Sequence, residues 1–114
     1  MHRIARLTAL LLLAAGCGGG SPSAPATTDP VATTSVNLRN NAFSPSAVRV
    51  PSGVSVSFIN LDGVNHNLTF SSTAITSVGA FSTGTRQVAM PTTPGTYQYH
   101  CTLHAGMTGT VLVE

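Results

Sequence analysis

The sequence predicts an all-β protein: an antiparallel sandwich of two sheets with seven or eight strands. The first observation is composition. Only 7% of the 114 residues are charged and tryptophan is absent, while Ser, Thr, Gly, Val and Ala are abundant, as in strand-rich domains. The second is a series of short segments in which apolar and polar residues alternate, separated by turn residues. No segment has the pattern of a helix longer than a turn or two.

Strands in the first half of the domain are predicted at 35–41, 47–50 and 54–60. In the third of these, Val56 and Phe58 alternate with serines, which is the clearest strand pattern in the chain. Turn residues follow the second and third strands, as expected where short antiparallel strands are connected.

Four further strands are predicted, at 67–70, 85–90, 96–99 and 110–113. The stretch 71–84 between the first two is rich in Ser and Thr and only weakly patterned. Ile75, Val78 and Phe81 are its expected contacts with the core. Seven or eight strands at this spacing are typical of a two-sheet sandwich.

Residues 1–16 are predicted to be a lipoprotein signal peptide. Arg3 and Arg6 precede an apolar stretch that is too short to cross a bilayer as a helix. Small residues stand just before Cys17, as in a bacterial lipobox, which predicts cleavage before Cys17 and a lipid on its sulfur. The alternative is an ordinary secretory signal cut nearby, which leaves a free thiol. Either way the protein is expected to be exported, facing the periplasm or the cell exterior.

Residues 17–34 are predicted to be a flexible tether behind the lipidated cysteine. They consist almost entirely of Gly, Ser, Pro, Ala, Thr and Val, a composition that does not bury enough apolar surface to fold. The folded domain is therefore expected at 35–114, held to a membrane through the lipid anchor at Cys17.

After the signal peptide the formal net charge is zero, because three arginines balance three acidic residues. The chain contains no lysine, so no basic patch is available for nucleic acid. Long-range electrostatic steering of a partner protein should be weak.

Three residues with metal-binding side chains lie in one short loop between the last two predicted strands: Cys101, His104 and Met107. A thiolate, an imidazole and a thioether together suit copper, and two His with one Cys and a distant Met form a blue-copper site. The loop contains one His of the two required. His66, after the turn at Asp62 and Gly63, is the best candidate for the second.

These residues resemble the cupredoxin family of blue-copper proteins, in particular the plastocyanin, pseudoazurin and amicyanin type. The resemblance rests on His66-Asn67, on the order Cys101, His104, Met107 and on the flanking strands, and it covers roughly residues 36–114. The short spacing from His104 to Met107 is amicyanin-like. The family's usual proline between Cys and His is absent. The resemblance implies a cupredoxin-like Greek-key sandwich that binds one type 1 copper ion.

The resemblance implies His66, Cys101, His104 and Met107 as copper ligands, with core filler as the alternative role for Met107. It also implies that the Asn67 side chain hydrogen-bonds the cysteine loop near Thr102; the alternative is an Asn that caps a turn. His100 is next to Cys101 on a strand, so its side chain should point away from the metal.

The expected function is single-electron transfer by Cu(I)/Cu(II) cycling, with redox partner proteins docking transiently near His104, among Leu61, Val64 and Ala105. The alternative is copper storage or delivery outside the cytoplasm. An enzyme is not expected, because four protein ligands leave no open coordination position. The protein is expected to be a monomer.

Overall fold

The computed structural model describes residues 29–114, which form ten strands and no helix. The strands are β1 (Val31–Ala32), β2 (Ser35–Arg39), β3 (Ala42–Ser44), β4 (Ala47–Val50), β5 (Ser55–Asn60), β6 (His66–Phe70), β7 (Val78–Phe81), β8 (Gly84–Ala89), β9 (Gly95–His100) and β10 (Thr108–Val113). Within these residues there is no helix of the length and apolarity needed to cross a membrane.

The strands form two sheets, which confirms the predicted all-β sandwich. One sheet has the order β1-β4-β10-β9-β6-β7 and the other has the order β3-β2-β5-β8. In β2, β5 and β10, alternate residues are buried between the sheets. The apolar residues predicted to point inward therefore form one continuous core.

The sheets are mixed rather than purely antiparallel, and the strands are more numerous than the seven or eight predicted. Strand β2 pairs with β5 in parallel, and β4 lies parallel to both β1 and β10. The connection from β3 to β4 passes from one sheet to the other, so strands distant in sequence become neighbours. Alternation in a sequence indicates which face of a strand is buried, but not the direction of the strand beside it.

Two boundaries also differ from the prediction. Val31 and Ala32 pair with Val48 and Arg49, so the end of the predicted tether belongs to the sheet and the domain starts before residue 35. The predicted strand 35–41 ends at Arg39. Asn40 and Asn41 have φ values of 55° and 54° and form the two-residue turn of a β-hairpin, which requires positive φ at both positions.

Tyr99 occupies the centre of the core and is 1% exposed. Its ring centroid lies 4.6 Å from that of Phe43, 5.4 Å from that of Phe58 and 5.1 Å from that of Phe70. Gly109 is its cross-strand partner on β10. A Cβ atom at Gly109 would lie 2.3 Å from Cζ of Tyr99, so the ring occupies the space that a side chain would need.

The Tyr99 hydroxyl is buried, and no group of residues 29–114 hydrogen-bonds to it. Burial raises the pKa of this phenol well above its usual value, so it stays neutral. Because an unpaired buried polar group opposes folding, Tyr99→Phe should raise the free energy of unfolding by about 1 kcal/mol. Urea denaturation measures this.

Tyr97→Phe is the matched control, because the Tyr97 hydroxyl donates a hydrogen bond to the Thr93 carbonyl at 2.7 Å. That substitution should lower stability by about 0.5–1 kcal/mol. A Tyr99→Phe variant as destabilised as Tyr97→Phe would contradict the assignment of an unpaired hydroxyl.

Candidate metal centre

The candidate site lies at one end of the sandwich, where β6 begins and β9 ends. These strands are antiparallel neighbours, with Thr69 opposite His100 and Phe70 opposite Tyr99. The first residue of β6, His66, therefore lies beside the residues that follow β9, beginning with Cys101. Sheet pairing thus brings together two segments 35 residues apart in sequence.

His66, Cys101 and His104 converge, with one ligand atom from each side chain lying within 4.8 Å of the others. The Cys101 sulfur is 3.9 Å from Nδ1 of His66, and the two imidazole rings are 4.7 Å apart. His66 and Cys101 are buried, while His104 is partly exposed. Cys101 forms no disulfide within the described chain. One thiol and two imidazoles thus share a small, mostly buried space.

Hydrogen bonds determine which nitrogen of each imidazole carries the proton. Nε2 of His66 lies 2.7 Å from Oδ2 of Asp62, and Nε2 of His104 lies 3.2 Å from the carbonyl oxygen of Asn65. A carboxylate and a carbonyl only accept hydrogen bonds, so Nε2 is the donor in both rings. In each neutral ring Nδ1 is left with a free lone pair, which is the form that binds a metal.

Met107 closes the loop that begins at Cys101. The N–H of Cys101 donates to the Met107 carbonyl at 3.0 Å, and the N–H of Met107 donates to the His104 carbonyl at 3.3 Å. Gly106 has a φ of 81°, a left-handed conformation that glycine adopts without strain. The Met107 side chain is 1% exposed, so it is buried in the same loop as Cys101 and His104.

Asn67 ties β6 to the cysteine loop through three hydrogen bonds. Its side chain donates to Oγ1 of Thr102 at 2.7 Å and accepts the Thr102 N–H at 3.0 Å. Its backbone N–H lies 3.4 Å from the Cys101 sulfur, where it stabilises negative charge on that atom. Bonds of this kind hold ligating side chains in a fixed arrangement.

The sequence predicts only a turn at Asp62, yet the carboxylate of Asp62 contacts His66. Burial alone would raise its pKa, but hydrogen bonds from His66 and from the N–H groups of Asn41 and Asn40 outweigh this, and the pKa lies below the usual value. The sequence signal for this contact is the position of Asp62, four residues before His66. Asn60 was also missed: its buried amide donates to the carbonyls of Val64 and Phe81 and shapes the same loop.

His100 is exposed and is not part of the donor cluster. Cys17 and the predicted signal peptide lie outside the described residues.

The donor set fits a single type 1 copper ion. The cluster joins one cysteine to two histidines whose Nε2 atoms face acceptor oxygens, and the buried Met107 is in the same loop. Thiolate and imidazole are donors that copper prefers, and a thioether is its weak axial ligand in blue-copper proteins.

Comparison with known proteins identifies the family to which this fold belongs. The family model described as a cupredoxin-like domain matches residues 6–113. A mutant amicyanin with Cu(I) has a TM-score of 0.63 at 26% identity, covering 70% of this chain and 80% of that one. A mutant fern plastocyanin has a TM-score of 0.62 at 27% identity, covering 70% and 99%. A purple cupredoxin from Nitrosopumilus maritimus shares the fold, with a TM-score of 0.63 at 22% identity, covering 70% and 98%. The chain therefore belongs to the cupredoxin family.

Proposed function

We propose that this protein carries single electrons between redox partners. The observation that carries the proposal is the convergence of His66, Cys101 and His104, with one ligand atom from each within 4.8 Å of the others. When bound, copper would supply a one-electron Cu(I)/Cu(II) couple. The residues that would hold it are these three, with Met107 as a weak fourth ligand. Four protein donors leave no open position for a substrate, which favours a carrier over an enzyme.

The protein's contribution to this function is a site that changes little between oxidation states. His66 and Cys101 are buried, and each imidazole is held at Nε2 by an acceptor oxygen. The Asn67–Thr102 pair joins the strand that bears His66 to the loop that bears the other donors. A constrained donor set suits both copper states without large movements, so electron transfer should be fast.

We infer that partner proteins dock at the His104 surface, defined by Leu61, Val64, Leu103, His104 and Ala105. Leu61, Val64 and Leu103 are 46%, 47% and 51% exposed, and the bond from His104 to Asn65 joins the two loops that carry them. An apolar surface of a few residues suits weak, brief association. With zero formal charge on residues 17–114, electron-transfer rates should depend little on salt.

The proposed function is tested by loading the purified protein with Cu(II) and recording visible absorption and electron paramagnetic resonance spectra. An intense visible charge-transfer band with narrow copper hyperfine splitting is expected, because both arise from a Cys thiolate bound to Cu(II). A weak band with wide splitting would contradict the proposal and favour copper storage or delivery. Rapid loss of copper to a competing chelator would favour the same alternative.

Met107→Gln should lower the reduction potential, because an amide oxygen stabilises Cu(II) more than a thioether does. Voltammetry of the copper-loaded variant measures this. Met90→Gln is the matched control: Met90 is also buried, but it follows β8 in the other sheet. An unchanged potential in Met107→Gln would exclude Met107 as a ligand.

We also infer that the protein is exported and works as a monomer, anchored to a membrane through lipid on Cys17. The short apolar stretch before Cys17 supports the export and the lipid anchor. Mass spectrometry of the mature N-terminus tests the export and the lipid anchor. A chain that begins at acylated Cys17 is expected, and a chain that keeps residues 1–16 would contradict both.

A further inference from the structure

Asp62 is the point where a distant turn contacts the metal centre. Its Oδ2 accepts hydrogen bonds from Nε2 of His66 at 2.7 Å and from the N–H of Asn41 at 3.1 Å, and its Oδ1 accepts the N–H of Asn40 at 2.6 Å. The Asp62 side chain is 13% exposed and that of His66 is fully buried. The carboxylate is therefore largely shielded from water where it meets the imidazole.

The surroundings of Asp62 fix the position of this carboxylate. Asn40 and Asn41 form the positive-φ turn between β2 and β3, and this turn directs both of its N–H groups at Asp62. The N–H of Asp62 itself donates to Oδ1 of Asn60 at 2.9 Å, and Asn60 is buried. The carboxylate is thus held by hydrogen bonds from the protein backbone and by the anchored Asp62 N–H.

We propose that Asp62 is a positioning residue that holds His66 with Nδ1 toward Cys101 and sets the reduction potential of the copper site. The second part rests on the proposed function. Asp62 accepts the Nε2 proton of His66, which fixes the tautomer and the ring orientation. Its negative charge makes the imidazole a stronger donor, and this favours Cu(II) over Cu(I).

Asp62→Asn separates the charge from the hydrogen bond. The Asn side-chain oxygen can take the place of Oδ2, which keeps the bonds from His66 and Asn41, while the charge and the bond from Asn40 are lost. The ratio of Cu(I) to Cu(II) affinity should rise about tenfold, at the lower end of the usual effect of groups that hold metal-ligating side chains. For a one-electron couple this is a rise of about 59 mV in the reduction potential.

Asp62→Ala removes the charge and all three hydrogen bonds. In the metal-free protein, nitrogen-15 NMR of His66 should show Nε2–H alone in the wild type and in Asp62→Asn, but a mixture of tautomers in Asp62→Ala. If the alanine variant does not fold, the asparagine variant still tests the proposal through its potential. Amide NMR spectra of the metal-free variants check folding.

Glu114→Gln is the control that removes the same charge elsewhere. Glu114 follows β10, whose first residue is beside the metal loop, so Glu114 lies about 20 Å along the strand from the site. The reduction potential of the Glu114→Gln variant should therefore equal that of the wild type. An unchanged potential in a folded Asp62→Asn protein would overturn the tuning role, and Nδ1–H in wild-type His66 would overturn the positioning role. Failure of the wild-type protein to form the thiolate–copper band would instead overturn the proposed function. The positioning role of Asp62 would still be tested separately, because the tautomer measurement needs no metal.

Discussion

Replacing Cys101 with serine is expected to abolish the intense visible absorption of the Cu(II)-loaded protein. The band requires electron density to move from a thiolate sulfur to copper, and Cys101 is the sole cysteine in the described residues. Serine is close in size, so the 3%-exposed position should be filled without a large cavity. Copper bound by the remaining imidazoles should give the wide hyperfine splitting of an ordinary Cu(II) site. Absorption and electron paramagnetic resonance spectra measure both.

A pair of histidine substitutions provides the control for this result. His104→Ala should also lose the band, since it removes a donor of the cluster. His100→Ala should keep it, although His100 is adjacent to Cys101, because its exposed side chain is not part of the donor cluster. Retention of the band in Cys101→Ser, or its loss in His100→Ala, would contradict the assigned site.

Gly109→Ala is expected to lower the free energy of unfolding by about 3 kcal/mol, at the upper end of the usual effect of overpacking. The new Cβ would lie 2.3 Å from Cζ and 2.5 Å from the hydroxyl oxygen of Tyr99. Tyr99 cannot move aside easily, because Phe43, Phe58 and Phe70 surround its ring. Urea denaturation of the metal-free protein measures the effect without a contribution from metal binding.

Gly79→Ala is the matched control, because a Cβ at Gly79 would meet no atom within 4 Å. Its stability should stay within about 0.5 kcal/mol of wild type. In a Tyr99→Leu background the penalty of Gly109→Ala should shrink, because the ring that occupies the space is gone. Equal penalties in both backgrounds would show that the clash with Tyr99 is not the cause.

The sequence predicted the sandwich and the donor cluster for different physical reasons. Burial on one face of each strand imposes a two-residue period, and this period is visible without knowing any partner strand. Cys101, His104 and Met107 are so close along the chain that one loop must hold them together. The place of His66 was harder to predict from local sequence, because its position beside Cys101 depends on the antiparallel pairing of β6 and β9.

What could not be predicted depends on contacts between distant segments. The carboxylate of Asp62 meets the Asn40–Asn41 turn because the Leu61 N–H continues the ladder to the Leu38 carbonyl, at 2.9 Å. That contact exists only once β2 and β5 lie parallel, and no local pattern encodes this direction. Seen along the chain alone, Asp62 is an ordinary residue of an Asp-Gly turn.

The position of β10 between β4 and β9 has a consequence for the order in which the protein matures. The metal loop is anchored at its far end by β10, and β10 is held by β4, about 60 residues earlier in the chain. Contacts of such long sequence separation form late and slowly. A nascent chain that still lacks β10 therefore has every donor residue but no assembled site. Stable copper uptake is therefore expected only after β10 has paired, and deletion of β10 should abolish it although every ligand residue is still present in the chain.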